Sequence, residues 1–171
     1  VSPSLFPKQG YDTFRDFAPI TQLTAIPLVL VGHPSIPART LGELVKLAKA
    51  HPGKLNYGST GEGTTVHLAS ELFKTLAKIN IVHVPYKSGG LVMTALLGGE
   101  VEMATTTAST IVSLANAGKV RALAVMVPER VAKLPKVPTT AEAGVPKLLV
   151  TAWQGLFAPA GVKPDIIEYL N

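Results

Sequence analysis

Between Tyr57 and Leu68 the chain reads YGSTGEGTTVHL. Ser59, Thr60, Gly61, Gly63, Thr64 and Thr65 supply hydroxyls and bare backbone, and an apolar helical pattern begins directly after them. A helix start carries unpaired N–H donors and roughly half a positive charge from the macrodipole. Glycines let a bound oxyanion approach those amides, and hydroxyls add donors. The same residues also suit a plain strand-to-helix turn, capped by Thr60 or Thr64, in which the glycines only supply positive φ. Taken alone, the loop leaves both readings open. It is not a nucleotide P-loop, because no Lys follows the last glycine, and its glycine spacing is not a dinucleotide fingerprint.

Further candidates lie along the chain. His67 sits just inside the helix, where it could point back to an anion site or pack locally. Tyr86 and Lys87 follow the strand-like run IVHVP: Tyr86 could wall a crevice and Lys87 face an anion. Thr105, Thr106 and Thr107 offer uncharged hydroxyls, although Thr is also a good strand former. His33, His51, His67 and His83 show no metal-ligand spacing, so no metal and no cofactor are expected. No G-x-S-x-G elbow is present, which leaves a hydrolase poorly supported and gives no catalytic residue.

These residues need elements to hold them. The 171-residue chain is 47% hydrophobic and 16% charged, enough apolar content for a real core. Aromatics are only 6%, and small aliphatics dominate, as in buried strands flanked by helices. The net charge of +5 comes from scattered residues rather than a basic run interleaved with aromatics, so a nucleic-acid partner is not expected. A mild positive potential favours encounter with small anions. There are no cysteines, hence neither disulfides nor thiolate metal sites.

The pattern from residue 26 onward alternates apolar runs with amphipathic ones. Strands are expected at 28–33, 54–58, 79–86, 100–106 and 119–127. The first helix carries Leu41, Leu44, Val45 and Ala48, with Thr40 as N-cap and Pro52-Gly53 as its stop. The next has Ala69, Leu72, Phe73 and Leu76 on one face. Two more cover 91–99 and 109–118, each ending in glycine. This order predicts an α/β fold with a mostly parallel sheet flanked by helices, whose ligand crevice lies beyond the C-terminal strand ends. YGSTGEGTT, PYKSGG and TTTAS each follow a strand and open a helix, so all three belong on one rim. Residues 1–24 show no lasting period, and 128–171 are rich in Pro and Gly. Both ends read as parts of a neighbouring, incomplete domain, which predicts exposed apolar residues around 150–157 and self-association.

The blocks DFAPITQL, HPSIPARTLGELVKLAKAHPGKLNYGSTGEGTTVHLASELFK, IVHVPYK, LLGGEVEMA, AGKVRALAV, VPTTAEAGVP and WQGLFAPAG resemble the Bug-type solute receptors. These are the periplasmic binding proteins of tripartite tricarboxylate transporters. The resemblance implies a periplasmic binding protein-like lobe at 25–125. It makes 1–24 a remnant of the first lobe with a crossing segment, and 126–171 the return crossing with a further remnant. It implies a periplasmic, non-enzymatic receptor for a small organic anion, held by amides and hydroxyls, with transporter subunits or a sensor as partner. Carried over, the ligand residues are the loop Ser59 to Thr65, His67, Tyr86 and Thr106. The family often has Gly where Ser88 stands, Pro at Leu91, Asp near Ala95, Asp or Asn at Thr106, and Pro at Ser109. The competing expectation is an enzyme that binds a phosphate or acyl substrate at the same rim. The loss of acids near Ala95 and Thr106 favours a dicarboxylate or an aromatic acid over an amino acid, whose ammonium needs a counter-charge.

Overall fold

The computed structural model describes residue 5 and residues 10–171. Of the expected segment 1–24, residues 1–4 and 6–9 therefore lie outside the described residues. The chain forms two compact units. One holds the chain up to Ile26 together with Ala152–Asn171, the other Pro27–Thr151.

The second unit is an α/β sandwich. In chain order its elements are β1 (Phe17–Gly32, entering this unit at Pro27), α1 (Leu41–Ala50), β2 (Asn56–Ser59), α2 (Thr65–Ala77), β3 (Val82–Pro85), α3 (Gly89–Gly98), β4 (Met103–Thr107), α4 (Ala108–Asn116) and β5 (Arg121–Val125). The sheet order is β3-β2-β4-β1-β5. β2 runs parallel to β3 and β4, whereas β1 is antiparallel to both β4 and β5. Two of the four pairings are thus antiparallel, which corrects the expectation of a mostly parallel sheet; the α/β class stands. Periodicity records which side chains are buried and not which way a strand runs, so the reversed β1 left no trace in the pattern.

Alternation along β2 and β4 sorts the layers. The Tyr57 hydroxyl reaches Glu71, and Ser70 Oγ lies 2.8 Å from Thr105 Oγ1, so α2 covers the face of Tyr57 and Thr105. On the other face a Cβ at Gly58 would lie 3.1 Å from Val92 and 3.4 Å from Val101, so α3 comes close to bare strand there. Ala104, Val92, Leu96, Val101 and Ile111 form one buried cluster on that side with α4. On α2 the buried residues are Ala69, Ser70, Phe73 and Ala77. Leu72 is exposed and Leu76 only half-buried, against the expected stripe. Burying Phe73 contributes roughly 2–3 kcal/mol.

Helix ends follow their signals. Thr40 caps α1 by accepting from Glu43 N–H, and the Glu43 carboxylate accepts from Arg39 N–H. Gly99, at φ 74°, terminates α3. After β5 the chain continues along the sheet: Thr140 N–H donates to Val125 O, and Val150 N–H to Met126 O. Residues 126–151 accordingly pack with the second unit, beyond the boundary drawn at 125.

In the first unit, β6 (Thr151–Pro159) pairs with β1, and α5 is Pro164–Leu170. Within 1–24, which shows no lasting period in sequence, the segment from Phe17 onward that the resemblance made a crossing segment is the first part of β1. The sheet partner that 150–157 needs is therefore within the chain. Trp153, Leu156 and Phe157 nevertheless remain exposed.

Candidate functional site

Because β2, β3 and β4 run the same way, the helices that follow them all start at one edge of the second unit. The N-termini of α2, α3 and α4 consequently share a rim. β1 enters at the same edge, with Leu28 opposite Thr107. Each helix start leaves amides free. The Thr65 and Val66 N–H groups of α2 and the Gly89 and Gly90 N–H groups of α3 have no acceptor among the described residues. Caps satisfy the next donors: Thr64 Oγ1 accepts from His67 N–H at 3.4 Å, and Ser88 Oγ from Leu91 N–H at 3.3 Å. At α4 the Thr107 hydroxyl instead meets Ser109 Oγ at 3.2 Å and Thr110 Oγ1 at 2.7 Å. Three macrodipoles thus place partial positive charge on one edge.

The Ser59–Thr65 loop is a capped turn in its details. Gly61 and Gly63 adopt φ 110° and 75°, conformations that only glycine takes without strain. Thr64, not Thr60, is the cap, and its hydroxyl also donates to Gly61 O at 2.8 Å. Two loop amides are used internally. Gly61 N–H donates to Ser59 Oγ at 3.2 Å, and Gly63 N–H to His67 Nδ1 at 3.2 Å. The turn consumes these two donors and leaves the Thr65 and Val66 amides without an acceptor among the described residues.

The sequence-derived candidates divide between the two sheet faces. Ser59 is fully buried on the α2 side with His67. The Tyr86 ring packs on the other side, 3.4 Å from where a Gly58 Cβ would sit, and the Tyr86 N–H donates to Ser59 O. Thr106, opposite Val29 in β1, alternates away from Thr105 and so shares that second face. Thr60 reaches across at the rim, its methyl 3.9 Å from a Gly89 Cβ position. Lys87 is exposed in the β3–α3 turn.

Sequence reasoning missed the group beneath the loop. Ser59 Oγ lies 2.6 Å from His83 Nε2, the His83 ring stacks on Tyr57 at 4.9 Å, and His67 lies 4.4 Å from His83. The Tyr57 hydroxyl donates to Glu71, which Lys74 Nζ meets at 2.8 Å. Burial, then the hydrogen bond and charge of Glu71, push the Tyr57 phenol up, so it stays a donor. For Glu71, burial alone pushes upward, but hydrogen bonds from Lys74 and Tyr57 and the positive charge of Lys74 bring its carboxyl below the ordinary range. Burial and then the neighbouring His67 hold His83 below its ordinary value. The register partners Tyr57 and His83 were the available signal: alternation puts both on one face. The Ser59–His83 pair is not a hydrolytic dyad, because Ser59 is fully buried and its oxygen already organises Gly61.

The His83 shift sets an expected pH dependence. A native pKa below the ordinary 6.5 means that the unfolded chain binds more protons in that window. Stability is therefore full above about pH 6.5 and falls as pH drops below it, whereas the Glu71 contribution is lost only further down, below about 4.5. Thermal melts from about pH 7.5 to 5.5 should show a falling midpoint, with a smaller fall in His83→Gln. Equal slopes for the two proteins would contradict the assignment.

The family described as tripartite tricarboxylate transporter family receptor matches residues 1–171. Among curated proteins, the chain is 38% identical over 172 residues to a UPF0065 protein from the tcbD-tcbE intergenic region of Pseudomonas sp. strain P51. That alignment covers 100% of this chain and 51% of the relative. It is 34% identical to Protein BugT of Bordetella pertussis, covering 100% and 52%. The chain thus spans about half the length of these curated relatives. Of solved structures, MatC from Rhodopseudomonas palustris with bound malate is similar at TM-score 0.86 and 33% identity, over 99% of this chain and 57% of that one. R. palustris Rpa4515 with adipate is similar at TM-score 0.85 and 34% identity, over 95% and 55%.

Proposed function

We propose that this chain, which belongs to the tripartite tricarboxylate transporter receptor family, is the carboxylate-binding part of a periplasmic solute receptor. It is a receptor and not an enzyme, and its ligand is a small organic dicarboxylate or an aromatic acid. One observation carries the reading: three helix N-termini meet on one rim, and the amides of Thr65, Val66, Gly89 and Gly90 have no acceptor among the described residues. Such donors suit a carboxylate and need no metal. The solved relatives that hold malate and adipate support the same ligand class. Ser59, Gly61, Gly63, Thr64 and His67 shape the loop. Thr60, Thr65, Tyr86, Lys87 and Thr106 are available around it. The receptor would deliver its ligand to membrane transporter subunits or to a sensor partner.

The rim is short of negative charge. Glu62 is exposed at the loop, Glu71 is committed to Tyr57 and Lys74, and the positions of Thr106 and Ala95 carry no acid. An ammonium group would be left uncompensated, which is costly on burial. Calorimetry with glutarate and glutamate, equal in length, tests this. Glutarate should bind the 171-residue chain with Kd on the order of millimolar, near −4 kcal/mol, and glutamate more weakly. Preference for glutamate would overturn the ligand class.

A further inference from the structure

A second concave site lies at the edge of the second unit opposite the rim. α4 starts on the rim and ends there at Asn116. β5 runs parallel to β4, because both oppose β1, and so starts at that far edge with Arg121. A cavity of about 380 Å³ opens between them, roughly 13 Å from the rim by the length of α4. Its floor is apolar: Val120, Leu134 and Val137 are buried members of the cluster that α3 and α4 cover. Its polar groups are Asn116, Arg121 and Lys136, and no Asp or Glu lines it. The wall at 134–137 is pinned. Arg130 donates to Pro135 O at 3.1 Å and pairs with Glu142, and Val137 N–H donates to Leu134 O at 3.0 Å. The volume falls within the roughly 300–1,000 Å³ of small-molecule sites.

We propose that this cavity is a second ligand site, separate from the rim, for an amphipathic monocarboxylate: one carboxylate on an apolar body. Charge decides the head group. Arg121 spends Nη1 and Nη2 on the carbonyls of Pro34, Ile36 and Ala38, and its Nε–H has no acceptor among the described residues. The guanidinium is thus fixed by the 34–38 loop before any ligand arrives. Lys136 is exposed and takes no part in the ion pairs among the described residues. The Asn116 amide adds donors. The end of α4 would otherwise repel an anion, but its own backbone closes it. Ala117, Gly118 and Lys119 N–H groups donate to the carbonyls of Ser113, Ala115 and Leu114. The floor decides the body. An apolar group gains by covering Val120, Leu134 and Val137. A second carboxylate there would lose its water without finding a donor. A dicarboxylate such as glutarate is thereby excluded, and the cavity does not duplicate the rim. None of this rests on the carboxylate reading of the rim.

The test is a titration of the chain with 3-phenylpropionate, followed by backbone amide NMR. The amides of Ala115, Gly118, Ala122 and Val137 should shift along one saturable curve, with Kd on the order of millimolar. Lys136→Glu changes an exposed side chain and should weaken that curve at least about tenfold, while Lys136→Arg keeps it within about threefold. The neutral 3-phenylpropionamide should bind at least about tenfold more weakly than the acid. Glutarate should leave these four amides unmoved. Shifts confined to the rim amides of Thr65 and Val66, equal binding of the amide and the acid, or a Lys136→Glu curve like the parent's overturns the inference.

Discussion

Arg121→Ala lowers the unfolding free energy by about 3 kcal/mol, because one guanidinium ties an entire loop to the sheet edge. Arg121, at the start of β5, donates to the carbonyls of Ile36 at 3.1 Å, Pro34 at 3.1 Å and Ala38. That loop joins β1 to α1, and Ile36 and Ala38 are themselves buried. Charge-assisted hydrogen bonds contribute more than neutral ones, and three carbonyls lose their donor together. Lysine at this position brings a compact point charge that cannot span three acceptors, so Arg121→Lys should recover less than half of the loss. Urea denaturation measures both variants. A midpoint unchanged in Arg121→Ala would show that the loop is held by apolar packing alone.

Gly63→Val reduces carboxylate affinity at least about tenfold, near 1.4 kcal/mol. The backbone at Gly63 has φ 75°, a region that a β-branched residue enters only with strain of about 1–2 kcal/mol. The substituted loop has two outcomes, and both lose the ligand. If it keeps its shape, the isopropyl group stands at the helix start; if it relaxes, Gly63 N–H leaves His67. Thr64→Val removes the cap and its bond to Gly61 O, at a cost of about 1 kcal/mol in stability. Gly42→Ala is the control, because a Cβ there meets nothing within 4 Å. Calorimetry with glutarate decides between the readings. Parent-like binding by Gly63→Val would reduce the loop to a turn.

Much of this arrangement was legible before any coordinates. Thr40, the glycine stops and the strand–loop–helix order of YGSTGEGTT, PYKSGG and TTTAS located the helix starts, because capping and glycine rules act over a few residues. The direction of β1 was not legible, since burial patterns carry no polarity. Strand pairing of 17–26 with β6 was hidden for a related reason: Phe17, Leu23, Trp153 and Phe157 are exposed, so no alternation marks a buried face. The site was legible in part. The loop glycines announced their positive φ. The His67–His83–Tyr57–Glu71 group did not announce itself, because its members are brought together by register between β2 and β3 and by the facing of α2, and none of these is local in sequence. Arg121 read as an ordinary residue of a strand, and only the return of residues 34–38 beside it shows its role.

The central claim is that a carboxylate binds at the α2 start on the rim of the second unit. Backbone amide NMR during a glutarate titration tests it most directly. The account predicts that the Thr65, Val66, Gly89 and Gly90 amides move together along one saturable curve, while Gly42 and Gly118, outside the rim, do not move. Saturable shifts confined to residues elsewhere, or no shift at Thr65 and Val66 at saturating glutarate, would contradict it.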